Sequence, residues 1–163
     1  MTRWMILLAL LFVPSVAMHV QTDSIAGTWL LTGADKILPD GTRIADYGMN
    51  PHGLVVFTKD GHYMVEIYRA DRARFSSDDK TKVTADEYKQ AALGMSVHFG
   101  TYMLDSAKGT ISFHVDRASN PNWDDTTQVR AYTLRGDELE WKVAARPDGS
   151  IPVTVLRRAQ KAE

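Results

Sequence analysis

The chain has 163 residues, a formal net charge of −1, 44% hydrophobic residues, 24% charged residues and no cysteine. This length is typical of one domain with a core of its own. A charge near zero argues against a nucleic-acid-binding protein, which usually presents a strongly basic face. The lack of cysteine excludes disulfides, thiolate metal sites, iron–sulfur clusters and cysteine nucleophiles. Composition therefore indicates a globular domain and leaves its function open.

The N-terminus has the layout of a secretory signal peptide. Arg3 supplies a positive charge, residues 4–13 form an uninterrupted apolar run, and Ser15 and Ala17 are small residues suited to precede a cleavage site. The apolar run is about half of the ~20 residues that a membrane-spanning helix needs, which makes a permanent anchor the weaker interpretation. We therefore expect residues 1–17 to be removed, the protein to be periplasmic or secreted, and no stable membrane insertion after cleavage.

Alternating apolar and polar residues, interrupted by Gly, Asp, Asn and Pro, predict strands along most of the remaining chain. Eight segments carry this pattern, at residues 27–34, 54–58, 62–69, 97–104, 110–116, 128–134, 138–143 and 152–158. Asp60 and Gly61 suit a tight hairpin turn between the second and third segments. Eight antiparallel strands favour an all-β, up-and-down barrel over residues 25–159, the smallest closed sheet that holds one small ligand. A flattened sandwich is the alternative.

One long connection interrupts the strands. Residues 71–82 are charged and lack periodicity, which predicts a loop, whereas residues 84–93 predict a short helix. Thr84 and Glu87 have the spacing of a capping box, and Gly94 is suited to end the helix.

Two loops are candidates for a lid or mouth over the cavity of a barrel. Long loops in compact domains are often functional, which makes the charged segment 71–82, with Arg74 on it, one candidate. Its alternative role is that of a solvated loop. Trp123 lies in a turn-rich loop at residues 120–125 and is a candidate lid or a simple loop anchor.

Several different short motifs lie on or beside the predicted strands. They are Gly27-Thr28-Trp29, residues 47–53, Asp60-Gly61, Gly100-Thr101-Tyr102, His114-Val115-Asp116, Pro121-Asn122-Trp123, Gln128-Val129-Arg130, and the arginines Arg157 and Arg158. Together they resemble the lipocalin-like domain proteins of bacteria and fungi over residues 25–158. The resemblance implies a calycin-type barrel around a cavity for a small apolar molecule. It also implies a structural signature in which an arginine of the last strand, Arg157 or Arg158, stacks on Trp29 near Gly27; of the two, we predict Arg157.

Strand parity predicts which side chains face the cavity. Apolar residues share one face of segments 110–116 and 138–143, and that face is expected to point inward. In segment 128–134 the face with Arg130 and the face with Val129 are nearly balanced, although Tyr132 favours the former. The candidate cavity residues are Tyr63, Tyr102, Phe113, Gln128, Arg130, Tyr132 and Trp141.

Arg130 is the most informative of these candidates, because an inward arginine is unfavourable unless it is paired or used. With Gln128 it is suited to bind a carboxylate or carbonyl on an otherwise apolar ligand. The alternative is a salt bridge to Asp116 or another acid at the barrel end.

No catalytic or cofactor motif is present: the chain lacks the G-x-S-x-G, P-loop, G-x-G-x-x-G and H-E-x-x-H patterns. The four histidines near strands are scattered, so we predict no metal and no cofactor: His52, His62, His98 and His114. The favoured function is binding of a small, mostly apolar molecule. One alternative is an isomerase- or cyclase-type enzyme, whose first suspects are His114, Tyr102, Asp116 and Arg130. The other is an interaction module of the envelope with a filled barrel.

Overall fold

A computed structural model describes residues 25–160, and the predicted signal peptide at residues 1–17 lies outside the described residues. The elements are β1 (Gly27–Ile37), β2 (Arg43–Ala45), β3 (His52–Phe57), β4 (His62–Tyr68), α1 (Ala85–Leu93), β5 (Met95–Asp105), β6 (Thr110–Ala118), β7 (Thr126–Arg135), β8 (Glu138–Lys142) and β9 (Ile151–Arg158). Because β1 pairs with both β3 and β9, eight antiparallel strands close into a barrel. The predicted up-and-down barrel is confirmed, and the sandwich is not formed.

The strand β2 is an addition that the sequence pattern did not predict. It pairs with the far end of β1, with Asp35 opposite Ala45 and Ile37 opposite Arg43. All three of its residues are exposed. A strand that buries neither face carries no alternation of apolar and polar residues, and alternation is the signal on which the prediction depended.

The apolar faces of β6 and β8 form the centre of the barrel. Ile111, Phe113 and Val115 on β6 are fully buried, as are Leu139 and Trp141 on β8. The parity prediction for these two strands is therefore confirmed.

On β7 the structure decides between the two faces that the sequence left nearly balanced. Arg130 is buried, Gln128 and Tyr132 are half-buried, and Val129 between them is exposed. The face that carries Arg130 points inward.

Trp29 is a fully buried core residue near the start of β1, and its indole Nε1 donates a hydrogen bond to the Ile25 carbonyl at 2.8 Å. The Arg158 guanidinium carbon lies 4.2 Å from the centroid of the Trp29 ring system. The prediction of Arg157 for this contact is wrong. Side chains alternate along β9, and Arg158 is the residue directly opposite Trp29 on β1, whereas Arg157 is exposed.

Substitution of the two arginines tests this assignment. We expect Arg158→Ala to lower the free energy of unfolding by about 1–2 kcal/mol, because it removes both the cation–π contact and the packing of the side-chain stem. The matched Arg157→Ala variant removes an exposed side chain and is expected to change the free energy of unfolding by less than about 0.5 kcal/mol. Urea denaturation measures both, and equal effects would contradict the assignment.

The helix α1 begins and ends as predicted. Thr84 is its N-cap, a complete capping box joins Thr84 and Glu87, and Gly94 is the C-cap. The Glu87 carboxylate accepts hydrogen bonds from the backbone N–H groups of Thr84 at 2.8 Å and Ser76 at 2.7 Å. These bonds lower the pKa of Glu87 to about 2. They also tie the preceding charged loop to the helix.

Candidate ligand-binding site

A cavity of about 480 Å³ lies at the end of the barrel where β4 ends and β7 and β9 begin. Its volume is within the range of about 300–1,000 Å³ that is usual for small-molecule sites. Its apolar wall includes Ala34, Ile67, Val143 and Val153, and three of these are buried core residues. Trp29 and Ile25 pack at the opposite end of the barrel, since they lie at the start of β1.

Arg130 lines this cavity and is only 4% exposed. Its Nη2 atom donates hydrogen bonds to Gln128 Oε1 at 2.8 Å and His98 Nε2 at 3.3 Å. Its guanidinium carbon lies 4.6 Å from the Phe113 ring centroid and 5.8 Å from the Trp141 ring centroid. The guanidinium therefore packs against the aromatic rings of Phe113 and Trp141 on the side away from the cavity.

The Arg130 cation is buried, and it has no counter-ion in the part of the chain that the structure describes. Within residues 25–160 no carboxylate lies within 4.0 Å of its nitrogen atoms. The expected alternative, an ion pair with Asp116, is not formed, because Asp116 faces outward and lies 3.8 Å from His114. Burial lowers the pKa of Arg130 to about 10, so the guanidinium remains charged at neutral pH.

His98 is the second buried polar group beside the cavity, and the candidate list did not include it. It is 2% exposed, and its Nδ1 lies 2.9 Å from the Tyr63 hydroxyl. Because Nε2 accepts from Arg130, the neutral ring carries its proton on Nδ1 and donates it to Tyr63. Burial, reinforced by the Arg130 charge, lowers the pKa of His98 to about 3. His98 is therefore a neutral acceptor that orients the guanidinium.

The rim of the cavity carries a charged cluster that was also missed. Arg146 Nη2 lies 2.6 Å from Asp46 Oδ2, and Lys36 Nζ lies 3.3 Å from Asp46 Oδ1. Burial alone would raise the pKa of Asp46, but the two cations outweigh it and lower the pKa. Asp46 and Arg146 line the cavity together with Tyr47. These residues fix the loops around the opening.

Comparison with known protein families agrees with this architecture. A family model described as a lipocalin-like domain matches residues 26–161. The chain belongs to the lipocalin-like domain family. Among solved structures it is similar to a lipocalin-like protein from Bacteroides uniformis, at 16% sequence identity and a TM-score of 0.43, covering 82% of this chain and 97% of that chain. No curated protein matches the chain.

The predicted cavity residues of this lipocalin-like barrel divide into three groups. Gln128 and Arg130 line the cavity. Tyr63, Phe113 and Trp141 lie behind Arg130 as part of the buried core.

Tyr102 and Tyr132 are the third group, and they are not among the lining residues. The Tyr102 hydroxyl donates to the Thr58 carbonyl at 2.9 Å, and its ring packs against Phe57 with centroids 4.9 Å apart. Tyr132 packs against the core as a partly buried residue.

The two lid candidates occupy different places in the lipocalin-like barrel. Trp123 lines the cavity, and its ring system meets His98 edge-on with centroids 6.0 Å apart. Arg74 instead lines a separate surface groove beside α1, with Phe75 and Gln90. The structure therefore does not place Arg74 at the cavity mouth, because the loop that carries it is held against the helix.

The residues first considered for catalysis do not converge. Arg130 lines the cavity, whereas His114 and Asp116 are on the outer face of β6 and Tyr102 packs towards the other end. Among the described residues, no group of three or more His, Cys, Asp or Glu side chains is arranged to hold a metal ion. None of the helices between residues 25 and 160 has the length and apolarity to cross a bilayer.

The buried neutral state of His98 has a consequence for acid stability. The folded protein holds His98 neutral to about pH 3, while the unfolded chain takes up a proton near pH 6.5. The unfolded state therefore binds more protons within this window, and stability falls as the pH is lowered. We expect the free energy of unfolding, measured by urea denaturation, to fall by up to about 1.4 kcal/mol per pH unit as the pH is lowered from 6 to 4.5.

The variant that tests this assignment is His98→Gln. Glutamine at position 98 retains an acceptor for Arg130 but does not titrate, so the slope between pH 6 and pH 4.5 should flatten. A slope that survives His98→Gln would contradict the assignment to His98.

Proposed function

We propose that this lipocalin-like protein binds a small, mostly apolar molecule in the barrel cavity and holds a carboxylate or carbonyl oxygen of that molecule at Arg130. The observation that carries the proposal is the buried guanidinium, which faces a cavity with apolar walls and has no carboxylate partner among the described residues. A cavity of about 480 Å³ at one end of the barrel supports this proposal over a pure interaction module, for which a barrel without a cavity is expected.

The energetics of Arg130 support a binding role. A charged group taken out of water without a partner is strongly unfavourable, and two neutral acceptors, Gln128 and His98, offset only part of this penalty. A ligand oxygen that bears negative charge would supply the missing interaction. The planar guanidinium is also suited to carboxylates, because its parallel N–H groups match the two carboxylate oxygens.

Export is part of the proposal. The charged, apolar and small-residue regions of residues 1–17 support cleavage after Ala17 and a periplasmic or secreted protein. N-terminal sequencing of protein recovered from the envelope and the medium of its host tests this. A mature chain that begins at Met18 is expected, and an intact Met1 in the cytoplasmic fraction would contradict it.

Native mass spectrometry tests ligand binding. The mature protein would be purified from the envelope of its own host and analysed before and after extraction with organic solvent. We expect a small-molecule adduct that is lost on extraction, and its mass would identify the class of ligand. A bare protein that also shows no thermal shift with a panel of lipids and polyketides would contradict the proposal.

A further inference from the structure

Two buried hydrogen-bond donors beside the cavity have no partner among the described residues: Arg130 Nε and Trp141 Nε1. Their residues are 4% and 0% exposed, and the Arg130 guanidinium carbon lies 5.8 Å from the Trp141 ring centroid. Buried polar atoms without a partner are rare in native proteins. Two such atoms on contacting side chains therefore mark a place where an acceptor belongs.

The chemistry of the two donors defines that acceptor. Neither the indole N–H nor the guanidinium accepts a hydrogen bond. The two acceptors that bond to the guanidinium, Gln128 Oε1 and His98 Nε2, both bond to Nη2 and not to Nε. Around Trp141 the ring neighbours are Phe57 and Phe113, with centroids 6.3 and 5.8 Å away, and these offer no conventional acceptor.

A water molecule fits this environment poorly. It would accept from the two donors, but it would leave the Arg130 charge without a counter-ion among the described residues. The oxygens of an ionised acid accept hydrogen bonds and donate none. They would also neutralise the Arg130 charge.

We propose that Trp141 is a specificity-determining residue, and that its indole N–H acts with the Arg130 guanidinium to bind an ionised acid group such as a carboxylate. The site then selects acids over neutral molecules with the same apolar body. This inference rests on the proposed function and narrows its ligand from a carboxylate or carbonyl compound to an acid. Arg130 lines the cavity and Trp141 lies behind it, so an acid group that enters from the cavity meets the guanidinium first and the indole N–H beyond it.

A pair of fluorescent probes tests the inference on the full mature protein. Anilinonaphthalene sulfonate carries an acid group that only accepts hydrogen bonds, and N-phenylnaphthylamine has the same aromatic body without it. We expect the wild-type protein to bind the sulfonate at least about tenfold more tightly than the neutral probe. Trp141→Phe keeps a large ring but removes the N–H. It should weaken sulfonate binding about tenfold and leave binding of the neutral probe unchanged.

Two further variants make the outcome decisive. Trp123→Phe makes the same chemical change at a residue that lines the cavity away from Trp141, and it should affect both probes equally. Arg130→Lys keeps the charge but removes Nε as a donor, and it should reduce the preference for the sulfonate even if Trp141→Phe fails to fold.

The outcomes separate this inference from the proposed function. Equal binding of both probes to the wild-type protein, or a sulfonate preference that survives Trp141→Phe in a folded protein, would overturn the inference and leave a ligand-binding cavity in place. Failure of both probes to bind would overturn the inference and count against the proposed function as well.

Discussion

Replacement of Arg130 by methionine is expected to stabilise the ligand-free protein by about 1–2 kcal/mol while it abolishes the preference for acidic ligands. Methionine has a similar length and is apolar, so it can pack on the Phe113 and Trp141 rings where the guanidinium now lies. The change removes a buried charge that has no counter-ion in the described residues. It also deprives Gln128 and His98 of a donor, which offsets part of the gain.

Urea denaturation and probe binding measure the two effects on the same variant. Arg146→Met is the matched control, because Arg146 lines the same cavity but forms an ion pair with Asp46 at 2.6 Å. Its loss leaves a partly buried carboxylate with less compensation, so this variant should be less stable than the wild type. If Arg130→Met loses as much stability as Arg146→Met, Arg130 is a structural residue and the binding role is contradicted.

Replacement of Gly100 by alanine is expected to destabilise the protein by about 3 kcal/mol or more. A Cβ atom at this position would overlap the His114 carbonyl oxygen and would lie 2.9 Å from the Asp116 nitrogen. Both contacts are with the backbone of β6, which cannot withdraw without breaking its pairing with β5. The register between the two strands shifts at Phe99 and Gly100, and this irregularity brings the backbones so close together.

Gly136→Ala is the matched control for Gly100→Ala. Gly136 has a φ of +59°, but a Cβ atom there would meet no heavy atom within 4 Å. The control therefore reports only the conformational penalty, which is about 1 kcal/mol. Urea denaturation compares the variants, and a Gly100→Ala variant as stable as Gly136→Ala would contradict the close approach of β5 and β6.

The parts of the fold that depend on local patterns were predictable from the sequence. Alternation on β6 and β8 predicted the buried Phe113 and Trp141, because a strand with one apolar face has one way to bury it. The capping box at Thr84 and Glu87 is equally local, since both partners lie within one turn of the helix.

The site was less predictable, because it depends on register and on contacts between distant residues. On β5 the large apolar residues Phe99 and Met103 are 46% and 74% exposed, whereas His98 is buried. Its position opposite Val65 of β4, which is buried, places His98 on the inner face. The sequence of one strand, taken alone, does not reveal which residue of the neighbouring strand lies opposite.

The charged cluster at the rim of the cavity was also unpredictable, because it depends on contacts between residues that are distant in sequence. Asp46 and Arg146 are 100 residues apart in sequence and meet only after the barrel closes. Neither residue lies on a segment with strand periodicity, so no pattern singled them out. Arg130 was identified because it lies on a strand beside apolar neighbours, and its lack of a carboxylate partner became visible only in three dimensions.

Calorimetric titration of the co-purified molecule tests the central claim most directly. The molecule extracted from the wild-type protein would be titrated into ligand-free wild-type and Arg130→Met proteins. We expect one binding site on the wild type and at least about a 30-fold loss of affinity in the variant, because the buried guanidinium no longer meets the acid group. Equal affinity for the two proteins would show that the cavity binds its ligand without Arg130 and would contradict the account.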